Sequence, residues 1–211
     1  MLIKKTNRLF NNKYQYKIVL VVAGAVYFRD RDIVNVYHGL EQIDLDQDNL
    51  KLRHRQNSIK LKEDLDYALK LQHVLSTMKD YDIRVEIPWI SIYANDKNDI
   101  NRLINLDSDK VKYVCEPPTN QVLSKDTIIL NKINHDYRIT LGKTSQDHTA
   151  FIDWASTNKK LKLTKGCIKE LSKPRSWGGT YFYVTGENNL LMAKMHLGDA
   201  INKIDRIVKA L

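Results

Sequence analysis

Cysteine is nearly absent: 211 residues hold only Cys115 and Cys167, each alone in an apolar or mixed segment. That spacing offers no disulfide framework and no cysteine zinc site, and it fits a reducing, intracellular and cytoplasmic setting. Long hydrophobic runs are missing too. The longest apolar stretch, residues 18–28, follows a basic N-terminal segment and contains Ala23-Gly24-Ala25, which superficially looks like a secretory signal. Cleavage after Ala25 would leave residues 18–22 as hydrophobic core, too little for a signal, and the whole stretch is too short to span a bilayer. A buried β-strand over 14–28 is the expectation, with Gly24 at a bulge or close contact and no membrane partner.

Catalytic and metal-ligand patterns are equally sparse. The six histidines (His38, His54, His73, His135, His148, His196) are scattered, and no two stand in a short ligand motif. Asp147-His148 reads as capping at a helix start rather than an acid/base dyad. Glu86 is followed by Ile87 and Pro88, so a metal-nuclease carboxylate pattern does not form, and no serine sits in a nucleophile elbow. Gly142-Lys143-Thr144 lies between an expected strand and helix, but position 137 is Tyr where a phosphate loop needs glycine. The helix start near Thr144-Ser145 offers at most one phosphate oxygen a place. No metal and no cofactor is expected. A metal-independent ribonuclease using His, Tyr and Lys leaves no linear motif and stays open as a lesser alternative.

What the chain has is localised positive charge. The formal net charge is +9, yet residues 1–17 hold five bases and no acid, and residues 157–211 hold eleven bases against four acids. The residues between them sum to −3. A local excess of this kind is what an anionic partner such as nucleic acid reads. Three Trp, eleven Tyr and four Phe among 43% apolar residues rule out wholesale disorder.

Periodicity predicts a long amphipathic helix over 59–78, strands over 83–87 and 90–94, a helix from Asp96 to Leu106, and a strand over 111–115 stopped by Pro117-Pro118. Residues 41–58, an acidic cluster followed by a basic one, read as a solvated, partly helical insertion. The order βαββαβ is the ferredoxin-like arrangement, an α+β two-layer sandwich with helices on one sheet face. A turn-rich linker over 117–125 separates this module (1–116) from a second (126–211). There the pattern predicts strands over 126–130 and 137–141, helices over 146–157 and 163–171, a hairpin of strands 180–184 and 190–197, and a final helix over 201–211. Two tandem ferredoxin-like modules are expected, although no residue-level repeat is evident between the halves.

The candidate interface lies in the second module. Lys159, Lys160, Lys162, Lys165, Lys169, Lys173 and Arg175 precede Trp177 and the strand Tyr181-Phe182-Tyr183. Alternation puts Phe182 inward and Tyr181 and Tyr183 outward, and the expected hairpin adds Lys194 and His196 to the outward face. Arg138 and Thr140 extend it. Aromatic rings among bases suit single-stranded RNA or DNA, the rings stacking on bases and the cations neutralising phosphates. The alternatives are that this face packs against another part of the chain, or that the chain is a non-catalytic subunit of a viral or multi-protein assembly, with a protein partner or a second copy of itself.

Overall fold

The computed structural model describes residues 2–22, 25–29, 32–45, 58–119 and 121–209. The chain divides into two compact units, Met1–Val122 and Leu123–Leu211, and it is mixed α+β with a five-stranded sheet in each.

The first unit runs β1 (Ile3–Lys5), β2 (Tyr16–Val21), a 3-10 turn (Ala25–Arg29), α1 (Ile33–Leu45), α2 (Ser58–Thr77), β3 (Tyr81–Glu86), β4 (Trp89–Ala94), α3 (Lys97–Leu106) and β5 (Val111–Glu116). Its sheet order is β1-β5-β2-β4-β3, with β1 parallel to β5 and every other pair antiparallel. The expected strand over 14–28 is thus shorter: it ends at Val21, and Ala25 and Phe28 are buried from a helical turn instead. The expected position of Gly24 and most of the insertion, residues 46–57, lie outside the described residues. Asp96 caps α3 by accepting from Asn98 N–H at 2.8 Å. Ile100 and Leu103 of α3 then join Ile18 and Leu20 of β2, Ile90 and Ile92 of β4, and the α2 residues Ala68, Leu71 and Leu75 in one buried cluster.

The second unit runs β6 (Thr127–Ile129), β7 (Tyr137–Leu141), α4 (Thr149–Thr157), β8 (Leu161–Leu163), α5 (Lys165–Leu171), β9 (Tyr181–Val184), α6 (Glu187–Leu197), a 3-10 turn (Gly198–Ala200) and β10 (Ile201–Val208). Two expectations fail here. Residues 190–197 belong to a helix, because a run of Leu, Met, Ala and Lys without a β-branched residue favours helix, and Leu190, Ala193 and Leu197 form its buried stripe. Residues 201–208 form a strand: Ile201, Ile204, Ile207 and Val208 are β-branched, and Asp199 sits in the preceding 3-10 turn instead of capping a helix.

The sheet order is β6-β10-β7-β9-β8, again with the edge strand parallel to the last strand and the rest antiparallel. Position by position it is the order of the first unit. The match extends to register: Lys17 faces Tyr93 and Cys115 across β2, and Arg138 faces Tyr183 and Asp205 across β7. Each last strand carries one extra residue at the same place. Lys112 is inserted between the partners of Val19 and Leu20, and Asn202 between the partners of Thr140 and Leu141. The register aligns Tyr16-Lys17-Ile18-Val19-Leu20 with Tyr137-Arg138-Ile139-Thr140-Leu141, three of the five identical.

Candidate nucleic-acid interface

Helices cover one face of the second sheet, where Ile139, Leu141, Phe182, Val184 and Leu161 meet Phe151, Cys167, Leu190 and Ala193. Phe182 is wholly buried in that cluster, so alternation turns Tyr181 and Tyr183 to the opposite face. Cross-strand register sets Arg138 opposite Tyr183, Thr140 opposite Tyr181, and Lys162 on the other side of Tyr183. The Arg138 guanidinium lies 3.9 Å from the Tyr181 ring centroid, and the two tyrosine rings meet edge to face at 5.6 Å. His135 stacks on Tyr183 at 5.8 Å, and its Nδ1 is 2.9 Å from the Thr185 hydroxyl. Burial, then the neighbouring Lys162 charge, holds the His135 imidazole below its ordinary value. Burial and then the neighbouring Tyr181 push the Tyr183 phenol up. Arg138 Nε and Thr140 Oγ1 have no hydrogen-bond partner. Two carboxylates lie beside this basic array: Asp205, opposite Arg138, is buried and paired with Lys203 at 2.7 Å, and Asp136, beside His135, accepts from Gly186 N–H at 2.8 Å.

Beyond the Thr140–Tyr181 pair the two strands continue into facing loops. Thr144 and Ser176 exchange backbone hydrogen bonds at 3.1 and 2.8 Å, and Gly179 N–H donates to Leu141 O at 2.8 Å. Gly178, at φ +75°, presses so close that a Cβ there would sit 2.4 Å from the Gly142 carbonyl. These contacts form a groove of about 380 Å³ lined by Lys143, Thr144, Ser145, Arg175, Ser176 and Trp177, two cations, three hydroxyls and an indole, with the Ser176 hydroxyl donating at 3.0 Å to Glu170, which pairs with Lys173. Trp177 is 80% exposed, with the Lys143 ammonium 4.7 Å from its ring centroid. Thr144 is fixed from behind by buried His148, whose Nε2 is 2.9 Å from its hydroxyl. The helix starts only at Thr149, so Thr144-Ser145 belongs to the groove and not to a helix N-terminus. Asp147 does the capping, accepting from Thr149 N–H at 2.8 Å and from its hydroxyl at 2.6 Å.

The other expected site residues are dispersed. Lys194 and His196 stand on α6, where His196 stacks on Trp154 of α4 at 5.0 Å, so the helix over 187–197 removes both from the sheet face. Lys165 and Lys169 are on α5 in the same helical layer, Lys173 pairs with Glu170, and Lys159 and Lys160 occupy the turn before β8. The face and groove therefore gather Arg138, Lys162, Tyr181, Tyr183, Arg175 and Trp177 from the expected set, and add Lys143 and His135. His135 carried a usable signal, since it lies two residues before Tyr137, at the mouth of the strand bearing Arg138.

Both cysteines are buried, and burial pushes the Cys167 thiol up to about 12 and the Cys115 thiol up as well. A buried thiol held protonated is a poor nucleophile. Among the described residues no His, Cys, Asp and Glu group is arranged to hold a metal ion, and no helix is long and apolar enough to cross a membrane. No protein-family model, no curated protein and no solved structure matches the chain.

Proposed function

We propose that the chain is a pair of ferredoxin-like modules that binds single-stranded nucleic acid through its C-terminal unit. The strand order supports the first part, because β5-β2-β4-β3 and β10-β7-β9-β8 both have the order of a βαββαβ sheet with the first and third strands at the centre, the second unit carrying α5 as an addition between β8 and β9. The observation that carries the second part is the continuity of Arg138 and Tyr181, beside buried Tyr183, with the groove of Lys143, Arg175 and Trp177, where the Glu170 carboxylate behind Ser176 is already paired with Lys173. Rings give sequence-tolerant stacking of about 1–3 kcal/mol per base, while the cations meet phosphates. Arg138, Lys162, Lys143 and Arg175 as phosphate partners give a slope of log K against log salt of about −3 for a single strand. Fluorescence anisotropy of a labelled oligonucleotide across a salt series tests this. A slope near zero, or no binding at low salt, refutes it.

A second reading, a subunit of an assembly, draws on α6, where Leu191 and Met195 are 58% and 72% exposed. A fixed oligomer free of nucleic acid in size-exclusion chromatography favours it over the first.

A further inference from the structure

The shared strand order and register make the N-terminal sheet's outer face comparable, strand for strand, with the C-terminal one. Lys17 and Tyr93 occupy the register positions of Arg138 and Tyr183, and Tyr14, stacked on Tyr93 at 6.4 Å, occupies the position of His135 on Tyr183. A tight hairpin with Asn11 and Asn12 in left-handed geometry carries both Phe10 and Tyr14 over Tyr93. Away from that covered end, the face holds rings and ammonium groups together. Lys4 Nζ is 4.1 Å from the Tyr113 ring centroid, Lys17 Nζ 5.7 Å from the same ring, and Lys112 Nζ 3.3 Å from the Trp89 centroid. Lys112 is the residue inserted at the bulge, and Trp89 is 39% exposed at the end of β4. The strand beside β4 brings two carboxylates to this face, Asp82 opposite Tyr93 and Glu86 opposite Trp89, the latter paired with Arg84.

We infer that this outer face, centred on Trp89 and Tyr113 with Lys4, Lys17 and Lys112 around them, is a second site for single-stranded nucleic acid; the inference rests on the function proposed above. Charge and ring chemistry together select that occupant. An exposed ammonium–ring contact is weaker than base–aromatic stacking, so a base displaces the lysine from the ring. The displaced ammonium, still tethered beside the base, meets the adjoining phosphate. A protein partner would leave three clustered lysines without acids to pair with unless it brought its own, whereas each nucleotide brings a ring and a negative charge at once.

The test uses the full chain and labelled oligouridylate and oligothymidylate of about six bases, near the footprint of one small single-strand-binding module. Titration at a protein concentration well above Kd reads stoichiometry. Two oligonucleotides per wild-type chain, one per Trp89→Ala/Lys112→Ala chain, one per Arg138→Ala/Tyr181→Ala chain and none when the four changes are combined is the expected result. If Trp89→Ala/Lys112→Ala lowers the unfolding midpoint of its unit, Trp89→Phe/Lys112→Glu keeps a ring in place and reverses the charge, and it too leaves one site. One oligonucleotide per wild-type chain, unaffected by either pair of changes at 89 and 112, overturns the second site alone. No binding by the wild-type chain at low salt overturns the nucleic-acid reading and the second site with it.

Discussion

Gly178 and Gly179 are adjacent, both at positive φ, and differ in what a side chain would meet. At Gly179, φ +81°, a Cβ finds nothing within 4 Å, whereas at Gly178, φ +75°, it falls 2.4 Å from Gly142 backbone carbon and oxygen. Alanine at either position carries the left-handed penalty of about 1–2 kcal/mol. Only Gly178→Ala must also push the two loops apart. That separation breaks the paired Thr144–Ser176 backbone bonds, each worth about 0.5–1.5 kcal/mol, so Gly178→Ala should cost about 1–3 kcal/mol more than Gly179→Ala. For a unit of this size the difference is at least about 4 °C in unfolding midpoint. Trp154 and Trp177 report the second unit in urea or thermal unfolding of the full chain followed by fluorescence, and Trp89 the first. Gly178→Ala should also weaken oligonucleotide binding, because Lys143 and Arg175 stand on the two walls it forces apart, and Gly179→Ala should retain it. Equal destabilisation by the two substitutions would show that the loops yield freely and that the groove is not held by this contact.

Phe182→Ala should cost about 3–5 kcal/mol, since the ring is fully enclosed by Phe151 and the helical layer, while Tyr181→Ala should leave the fold nearly unchanged and weaken oligonucleotide binding; the reverse order in urea unfolding would invert the two sheet faces. Tyr181→Ala should also leave the salt slope intact, because a stacking ring releases no counterions, whereas Lys143→Ala and Arg175→Ala should each make it shallower by about 0.7. The Cys167 thiol should resist a maleimide in the native chain and react once unfolded, and rapid native labelling would contradict its burial. His135 and His148 are both held below their ordinary value by burial, so the unfolded chain binds more protons and stability should rise with pH through the window below about 6.5. Urea midpoints that stay flat between about pH 7.5 and 5.5 would refute that, and His148→Gln should reduce the slope.

Helix and strand were legible where one period dominated. The spacing in 59–78 and the alternation in 83–87 and 90–94 give α2, β3 and β4 with small shifts at the ends. They failed where two periods competed. In 190–197 Ala193, Met195 and Leu197 alternate with Lys194 and His196 as in a strand, yet Leu190, Ala193 and Leu197 also keep helical spacing, and helix propensity decides. In 201–208 the isoleucines lie three apart, and β-branching decides the other way. The shared strand order was hidden by unequal lengths: β3 begins 65 residues after β2, and β8 only 24 after β7, so no single period runs through both units. Once β4 and β9 are reached the correspondence is uninterrupted, and α3, the 3-10 turn and β5 each recur 90 positions later. Arg138, Tyr181 and Tyr183 could be grouped from alternation alone, whereas the groove required Gly142 and Gly178, distant in sequence, to touch.

The two units differ in an orderly way. At equivalent inward positions an apolar side chain in one unit corresponds to an apolar side chain in the other: Ile18 to Ile139, Leu20 to Leu141, Val114 to Ile204, while Phe182 and Ala193 stand where Ile92 and Leu103 stand, one larger and one smaller. A closed volume filled by interlocking groups explains that constraint without reference to any ligand. At outward positions charge changes freely, with Lys162 in the place of Asp82, Asp205 in that of Cys115 and Lys203 in that of Tyr113. Against that freedom, the cation facing a tyrosine across the two central strands, with a second ring laid over the tyrosine, is present in both units. None of these side chains belongs to the cluster under the helices, yet Tyr14, Tyr93 and Tyr183 are themselves buried, so the stacked rings form a small packing unit of their own on each outer face. Packing thus accounts for the stacked pair, and what it does not account for are the exposed rings with a cation beside them, Trp89 with Lys112 and Trp177 with Lys143, which are the positions at which substitution tests the proposed ligand.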